Sequence, residues 1–467
     1  MRETGPRQKL TAPSMKLSIK LLIWLYLVLL IAEGALRKWV LPSMSDELLI
    51  VRDPVLLVIY ALALSSGLFP TNRFVIVIGV LAGLSVMASI MGGHTNFLVI
   101  AYGLRINYLH LPLIWIMGRV LDRRDVERIG AFLMVVAIPM TLIMVQQFRA
   151  PMDALINRGV GNDEVGQIFG ADGRIRPPGL FAFITGPQLF FPLCAAFFFD
   201  EIAGAKRLPW YLLIACGLAI AIGLPVSISR TTMLGTAVVA LAFLIALPFS
   251  SAKFSSLARP LLLLALVGAG LSKLPVFQEG TSVFMMRWDT AEGDSKGAAW
   301  NGVMDRTVNG FTNPFYFIRV APFLGHGIGT GSNVGARLTS GEVGFILAEE
   351  EWGKVLLELG PVIGAAFIIF RIVLTGWLGL LAWRALRENR NALPLLIFAA
   401  TALAILQGQW APPTVLGFAV LGAGLLLGSL NSVPVPTSEK PVNEPVLIRL
   451  PARSGHRLPS VLRPVQK

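Results

Sequence analysis

The segment EEEWGKVLLELG, residues 349–360, sets three adjacent carboxylates against an apolar run that continues to about residue 380. It closes the long polar interruption at residues 273–354, which also holds FLGHGIGTGS at 323–332. Loops beyond about 15 residues are uncommon in compact proteins and are usually functional or disordered. This one carries Trp288, Trp300, Phe311, Phe315, Tyr316, Phe317, Phe323 and Trp352, whereas a disordered linker is poor in aromatics. It reads as a folded cap outside a membrane, and chemistry is expected where cap and membrane meet.

Outward from that segment both flanks are apolar. Of 467 residues 55% are hydrophobic and only 14% charged, against about a quarter charged in soluble proteins. Runs of roughly 20 apolar residues, enough to span a bilayer, recur along the chain. The short alternating segments of a β-barrel are absent. The expected fold is an all-α polytopic membrane protein with about twelve transmembrane helices. They are expected at 18–34, 54–70, 74–92, 97–117, 128–148, 179–199, 208–225, 231–249, 257–273, 355–380, 392–407 and 413–431. The chain then divides into a tail (1–17), helices one to nine (18–273), a cap loop between helices nine and ten (274–354), helices ten to twelve (355–432), and a basic, Pro-rich tail expected to be disordered (433–467).

The net charge is +13. In a soluble protein this would suggest nucleic acid, but here the basic residues lie at helix ends and in the tails, where they meet membrane lipids. The loops at 69–73, 118–127, 200–208, 250–259 and 382–391 are short and basic, as cytoplasmic loops are. That places both termini on the cytoplasmic side and the cap opposite. The first span follows Arg2, Arg7, Lys9, Lys16 and Lys20 without a cleavage pattern, so it reads as a retained signal anchor. Cys194 and Cys216 fall inside apolar runs, and no Cys/His cluster calls for a metal. No cofactor is expected.

Four groups could carry chemistry on the outer side. Arg176 precedes Pro177 and Pro178, which fix an extended approach to the next span; a guanidinium there suits a diphosphate or simply anchors the helix. Arg230, in PVSISRTTM (225–233), sits at a tight corner where the next helix begins. His326 lies among Gly325, Gly327, Gly329 and Gly331, a pattern suited to a nest of backbone amides for phosphate, although a lone loop histidine is more often structural. Glu349, Glu350 and Glu351 could supply a general base, with Glu358 on nearly the same helical face. Helix electrostatics and pairing with Lys354 account for some of these acids equally well.

RPPGLF (176–181), SISRTTM (227–233), FLGHGIGTGS (323–332) and EWGKVLLELGPVIG (351–364), in this order, resemble the bacterial O-antigen ligase and O-antigen polymerase superfamily. EGALRKWVLP (33–42) followed by RDP (52–54) is similar to an exopolysaccharide polymerase-like branch. The resemblance implies an inner-membrane glycosyltransferase with a large periplasmic loop and a polyprenyl-diphosphate-linked oligosaccharide as donor. It implies arginines on the diphosphate and a base on the acceptor hydroxyl. Where ligase-type relatives carry a histidine, eleven residues before the glycine of ELG, this chain has Glu349. The base is therefore assigned to Glu349 or Glu350, or to His326. Arg176, Arg230, Arg287, Arg306, Gly327, Gly329, Glu351 and Trp352 are assigned to substrate. The chain has no DxD triplet, in keeping with metal-independent transfer. Other polysaccharide assembly proteins are implied as partners. Two alternatives stay open: a ligase acting on another acceptor, and a secondary transporter or flippase of lipid-linked glycan. Arg105, with His110 and Pro112 nearby, would be the membrane-embedded ionisable group of a transporter.

Overall fold

The structure is a computed structural model that describes residues 12–161, 167–205, 207–249, 270, 272–294, 299–340, 347–348 and 350–431. Helix occupies eleven of the twelve expected segments; the ninth, 257–273, lies largely outside the described residues, as do both tails. Seven helical stretches are long and apolar enough to cross a membrane: Ser14–Val40, Pro42–Ser65, Arg73–Met91, Phe97–Val120, Arg123–Arg149, Arg230–Phe249 and Glu351–Asn389. Trp210–Val226, Leu393–Leu406 and Pro413–Ser429 are apolar but shorter.

Polar side chains mark where these helices begin. Asn72 accepts from the Val75 amide at 3.0 Å, and Ser229 accepts from that of Thr232 at 3.3 Å. Asp122 and Asp125 form a reciprocal capping box, each taking the other's backbone N–H. Of the π-helical turns, Leu36–Val40 and Arg105–Leu109 carry buried cations.

Alternate connections gather at opposite ends of the bundle. At one end Lys20 pairs with Asp125 (2.5 Å), Arg119 donates to the Phe69 carbonyl (2.9 Å), and Arg207 pairs with Asp200 (2.7 Å) and Glu127 (3.1 Å). Asn431 donates there to the carbonyl of Leu121 (2.8 Å), and Asn391 to that of Ser429 (3.2 Å). At the other end Arg337 pairs with Asp46 (2.9 Å), Lys38 donates to the Gly179 carbonyl (2.8 Å), and Asn313 donates to Glu350 (2.8 Å).

The cap region is helical: Pro275–Asp294, Ala299–Val320 and Asn333–Ser340. The all-α expectation needs one amendment. Phe169–Ala171 and Arg174–Ile175 pair as a small antiparallel hairpin. Its turn residues, Asp172 (φ 50°) and Gly173 (φ 67°), both have the positive φ of a type I′ turn, which an Asp-Gly pair favours.

Candidate functional site

Two of the expected arginines, Arg176 and Arg287, are brought to Gly170 in the hairpin, and the corner that opens the Arg230 helix packs against it through Ile228. Arg287, on the Pro275–Asp294 helix, donates to the Gly170 carbonyl at 2.9 Å. A Cβ placed on Gly170 would stand 3.0 Å from Ile228 Cδ1 and 3.4 Å from Arg176 Cγ. Ile228 belongs to the corner between Trp210–Val226 and the helix that opens with Arg230. Arg176 and Arg230 are both half-buried. The corner is strained: Ile228 has φ 45°, an outlying conformation for a β-branched residue, and is fully buried against the hairpin. Strain of this kind, about 1–3 kcal/mol per residue, tends to persist at functional sites. Arg306 lies in the Ala299–Val320 helix, but its side chain falls outside what the structure describes.

The acidic segment builds a second group. Glu349 lies outside the described residues. Glu350 precedes the Glu351–Asn389 helix and accepts from Asn313 Nδ2 at 2.8 Å. Glu351 points inward and is fully enclosed: Arg371 Nη1 donates to its Oε1 at 2.9 Å, and Lys354 Nζ lies 2.7 Å from its Oε2. Trp352 donates from Nε1 to the Leu406 carbonyl at 2.9 Å. Lys354 thus takes Glu351, three residues back, as its ion-pair partner.

The glycine segment docks on this helix. The amide of His326 donates to the Leu357 carbonyl (2.8 Å) and that of Gly327 to the Glu358 carbonyl (3.1 Å). The Ile328 amide donates to Ser89 Oγ (3.0 Å), and the Gly331 amide to Glu358 Oε1 (2.8 Å). The amides expected to nest a phosphate are thus taken up within the chain, by two carbonyls, a serine hydroxyl and the Glu358 carboxylate. The His326 side chain is exposed, and Gly329 fits against the Val99 carbonyl, 2.4 Å from where a Cβ would stand. The docking requires Gly360, whose φ 77° and ψ 170° belong to a region open essentially to glycine alone. A Cβ there would lie 2.3 Å from the Phe323 carbonyl oxygen.

A buried charge network was not anticipated, although Glu33 and Arg37 stand in EGALRKWVLP and Arg52 and Asp53 in RDP. Glu33 pairs with Arg37 (3.2 Å) and Arg52 (3.4 Å), and Asp53 with Arg105 and His110 (3.1 Å). Tyr26 Oη links His110 Nδ1 (3.0 Å) to Arg52 (3.2 Å). The signal available in the sequence was the number of charges inside apolar spans, where ionisable groups must pair. Arg105 therefore belongs to an internal network.

Among the described residues, cavities open at the cap end. One, of about 580 Å³, is lined by Arg37, Ser45, Asp46, Asn333 and Arg337 among others. The second, of about 350 Å³, lies at the head of the Glu351–Asn389 helix, with Glu350, Glu351 and Trp352 in its wall. Among the described residues no cluster of three or more His, Cys, Asp or Glu could hold a metal ion. No family model, curated protein or solved structure matches the chain.

Proposed function

We propose that this chain is a membrane glycosyltransferase that polymerises polyprenyl-diphosphate-linked saccharide units, with twelve spans, both termini cytoplasmic and the cap on the periplasmic face of a bacterial inner membrane. The observation that carries the reading is the convergence of Arg176, Arg287 and the Arg230 corner on one hairpin glycine at the cap end. Planar guanidiniums match a diphosphate's oxygens two at a time. In the reaction the acceptor hydroxyl oxygen attacks the anomeric carbon, and the bond from that carbon to the diphosphate breaks. The hydroxyl proton passes to Glu349 or Glu350, or to His326, and the arginines meet the charge growing on the leaving diphosphate. A ligase would run the same chemistry on a different acceptor.

The test is a membrane assay with a synthetic polyprenyl-diphosphate oligosaccharide. Chain extension is expected, and Arg176→Lys or Arg230→Lys should lower it by about 10²–10³-fold, the usual cost of losing one transition-state donor. Glu350→Gln and His326→Ala separate the candidate bases: a fall of about 10²–10⁴-fold in one of them assigns the proton to that residue, and near-wild-type rates in both assign it to Glu349. Transport of the lipid-linked glycan with no new glycosidic bond would overturn the reading.

A further inference from the structure

The 350 Å³ cavity differs in chemistry from the arginine group. Its wall is made by Asn309, Gly310, Glu350, Glu351, Trp352, Gln407 and Gln409. Three of these seven are carboxamides, which donate and accept hydrogen bonds at once, as a sugar hydroxyl does. Trp352 adds an apolar surface. The cations nearby are consumed internally: Lys354 and Arg371 are both ion-paired to Glu351. Among the described residues, an anionic ligand would meet Glu350 with no cation to offset it. A neutral, hydroxyl-rich ligand would meet matching partners.

One group in the wall points to a ligand. Gln407 Nε2 is buried and has no hydrogen-bond partner among the described residues. A buried donor left unpaired costs about 1–3 kcal/mol, so such a group calls for a partner that arrives from outside. It is kept in place by Gly310: a Cβ there would stand 2.8 Å from Nε2. The volume falls near the lower end of the roughly 300–1,000 Å³ usual for small-molecule sites, enough for a short saccharide and too small for a polyprenyl chain.

We infer that this cavity is a saccharide subsite that holds the neutral acceptor glycan, with Gln407 and Glu350 on its hydroxyls. The inference rests on the transferase reading for the word acceptor; the sugar site itself does not. It separates the two recognition tasks, diphosphate at the arginines and hydroxyls at the carboxamides. It also puts the acceptor beside Glu350, one of the candidate bases.

The experiment reads binding without turnover. Purified protein in nanodiscs is mixed with neutral free trisaccharides of gluco, galacto and manno configuration, and saturation-transfer NMR reports contact. At least one trisaccharide should bind. Gln407→Leu and Gly310→Ala should each weaken it about tenfold, the worth of one hydrogen bond. Alanine suits the Ala299–Val320 helix better than glycine, so loss of binding in Gly310→Ala is not loss of fold. Affinity for inorganic diphosphate should be unchanged in both variants. No contact with any of the three trisaccharides, or contact indifferent to both substitutions, overturns the inference. Gln407-dependent sugar binding in a protein that turns over no lipid-diphosphate donor defeats the transferase reading and keeps the sugar site. Turnover with sugar binding indifferent to Gln407 does the reverse.

Discussion

Replacing Arg371 by methionine should destabilise the protein strongly, and replacing Glu351 by glutamine in the same chain should recover much of the loss. Arg371 is fully buried. Its Nε donates to the Ile405 carbonyl (2.9 Å), its Nη2 to the Gly408 carbonyl (2.8 Å) and its Nη1 to Glu351 (2.9 Å). Its guanidinium also lies 3.8 Å from the centre of the Trp410 ring. It ties the Glu351–Asn389 helix to the 407–410 corner that walls the carboxamide cavity. With Glu351, Lys354 and Glu358 it forms a group of two acids and two bases, formally neutral. Lys354 Cγ and Glu358 Oε1 lie 2.7 and 2.9 Å from where a Cβ on Gly331 would stand, so the four are contiguous. Methionine keeps the unbranched apolar stem but leaves Glu351 with half its compensation. Breaking one partner of a buried pair costs about 3–5 kcal/mol. Glu351→Gln restores neutrality, because Lys354 then faces Glu358 alone, and a coupling of about 1–3 kcal/mol is expected between the two changes. SDS-titration unfolding in mixed micelles, followed by tryptophan fluorescence, measures all four corners of the cycle. Additive losses, or an Arg371→Met protein as stable as the wild type, would refute the argument.

Other outcomes follow from the same geometry. Gly360→Ala should cost about 3 kcal/mol or more, because it adds a forbidden φ to a clash with the Phe323 carbonyl, and it should speed proteolysis of the cap; an unchanged digestion rate would count against the docking of the glycine segment. Asp122→Ala removes one half of a capping box and should cost about 0.5–2 kcal/mol. Burial works against the Asp122 charge, but the Asp125 amide and Lys20 outweigh it and hold the carboxyl below its ordinary value. Its contribution is therefore complete above the ordinary carboxylate range and lost as the pH falls through the lowered value, so wild-type and variant stabilities should converge in acid. Parallel curves down to the lowest pH would contradict this. Cysteine at the exposed Ser282 should be labelled from outside intact cells, against a quiet background because Cys194 and Cys216 are buried. Labelling only after permeabilisation would reverse the proposed orientation.

Run length made the helices legible. An apolar stretch of about twenty residues has few alternatives in a membrane, so eleven of the twelve expected segments contain helix. The hairpin was also written in the chain, as Asp172-Gly173, but the proline-rich RPPGLF beside it draws the eye to an extended approach. The convergence of Arg176, Arg230 and Arg287 could be expected only as a common placement on one side. The meeting of Arg176, Arg287 and the Arg230 corner at Gly170 depends on how the Pro275–Asp294 helix packs, which no local pattern encodes.

Partner choice among buried charges was the least legible feature, and Lys354 shows why. On helical spacing alone Glu350, Glu351 and Glu358 are all within its reach. Glu350 is drawn outward by Asn313, which donates to it at 2.8 Å. Glu358 is claimed by the Gly331 amide, also at 2.8 Å. Glu351 is left turned inward, and two cations are needed there because a fully enclosed carboxylate has no water to share its charge. The second cation, Arg371, stands twenty residues along the helix and reaches Glu351 only because Gly360 breaks the helix between them. The same break lets the glycine segment deliver its amide to Glu358. Changing that one glycine should therefore disturb both acids together, although neither is its neighbour in sequence.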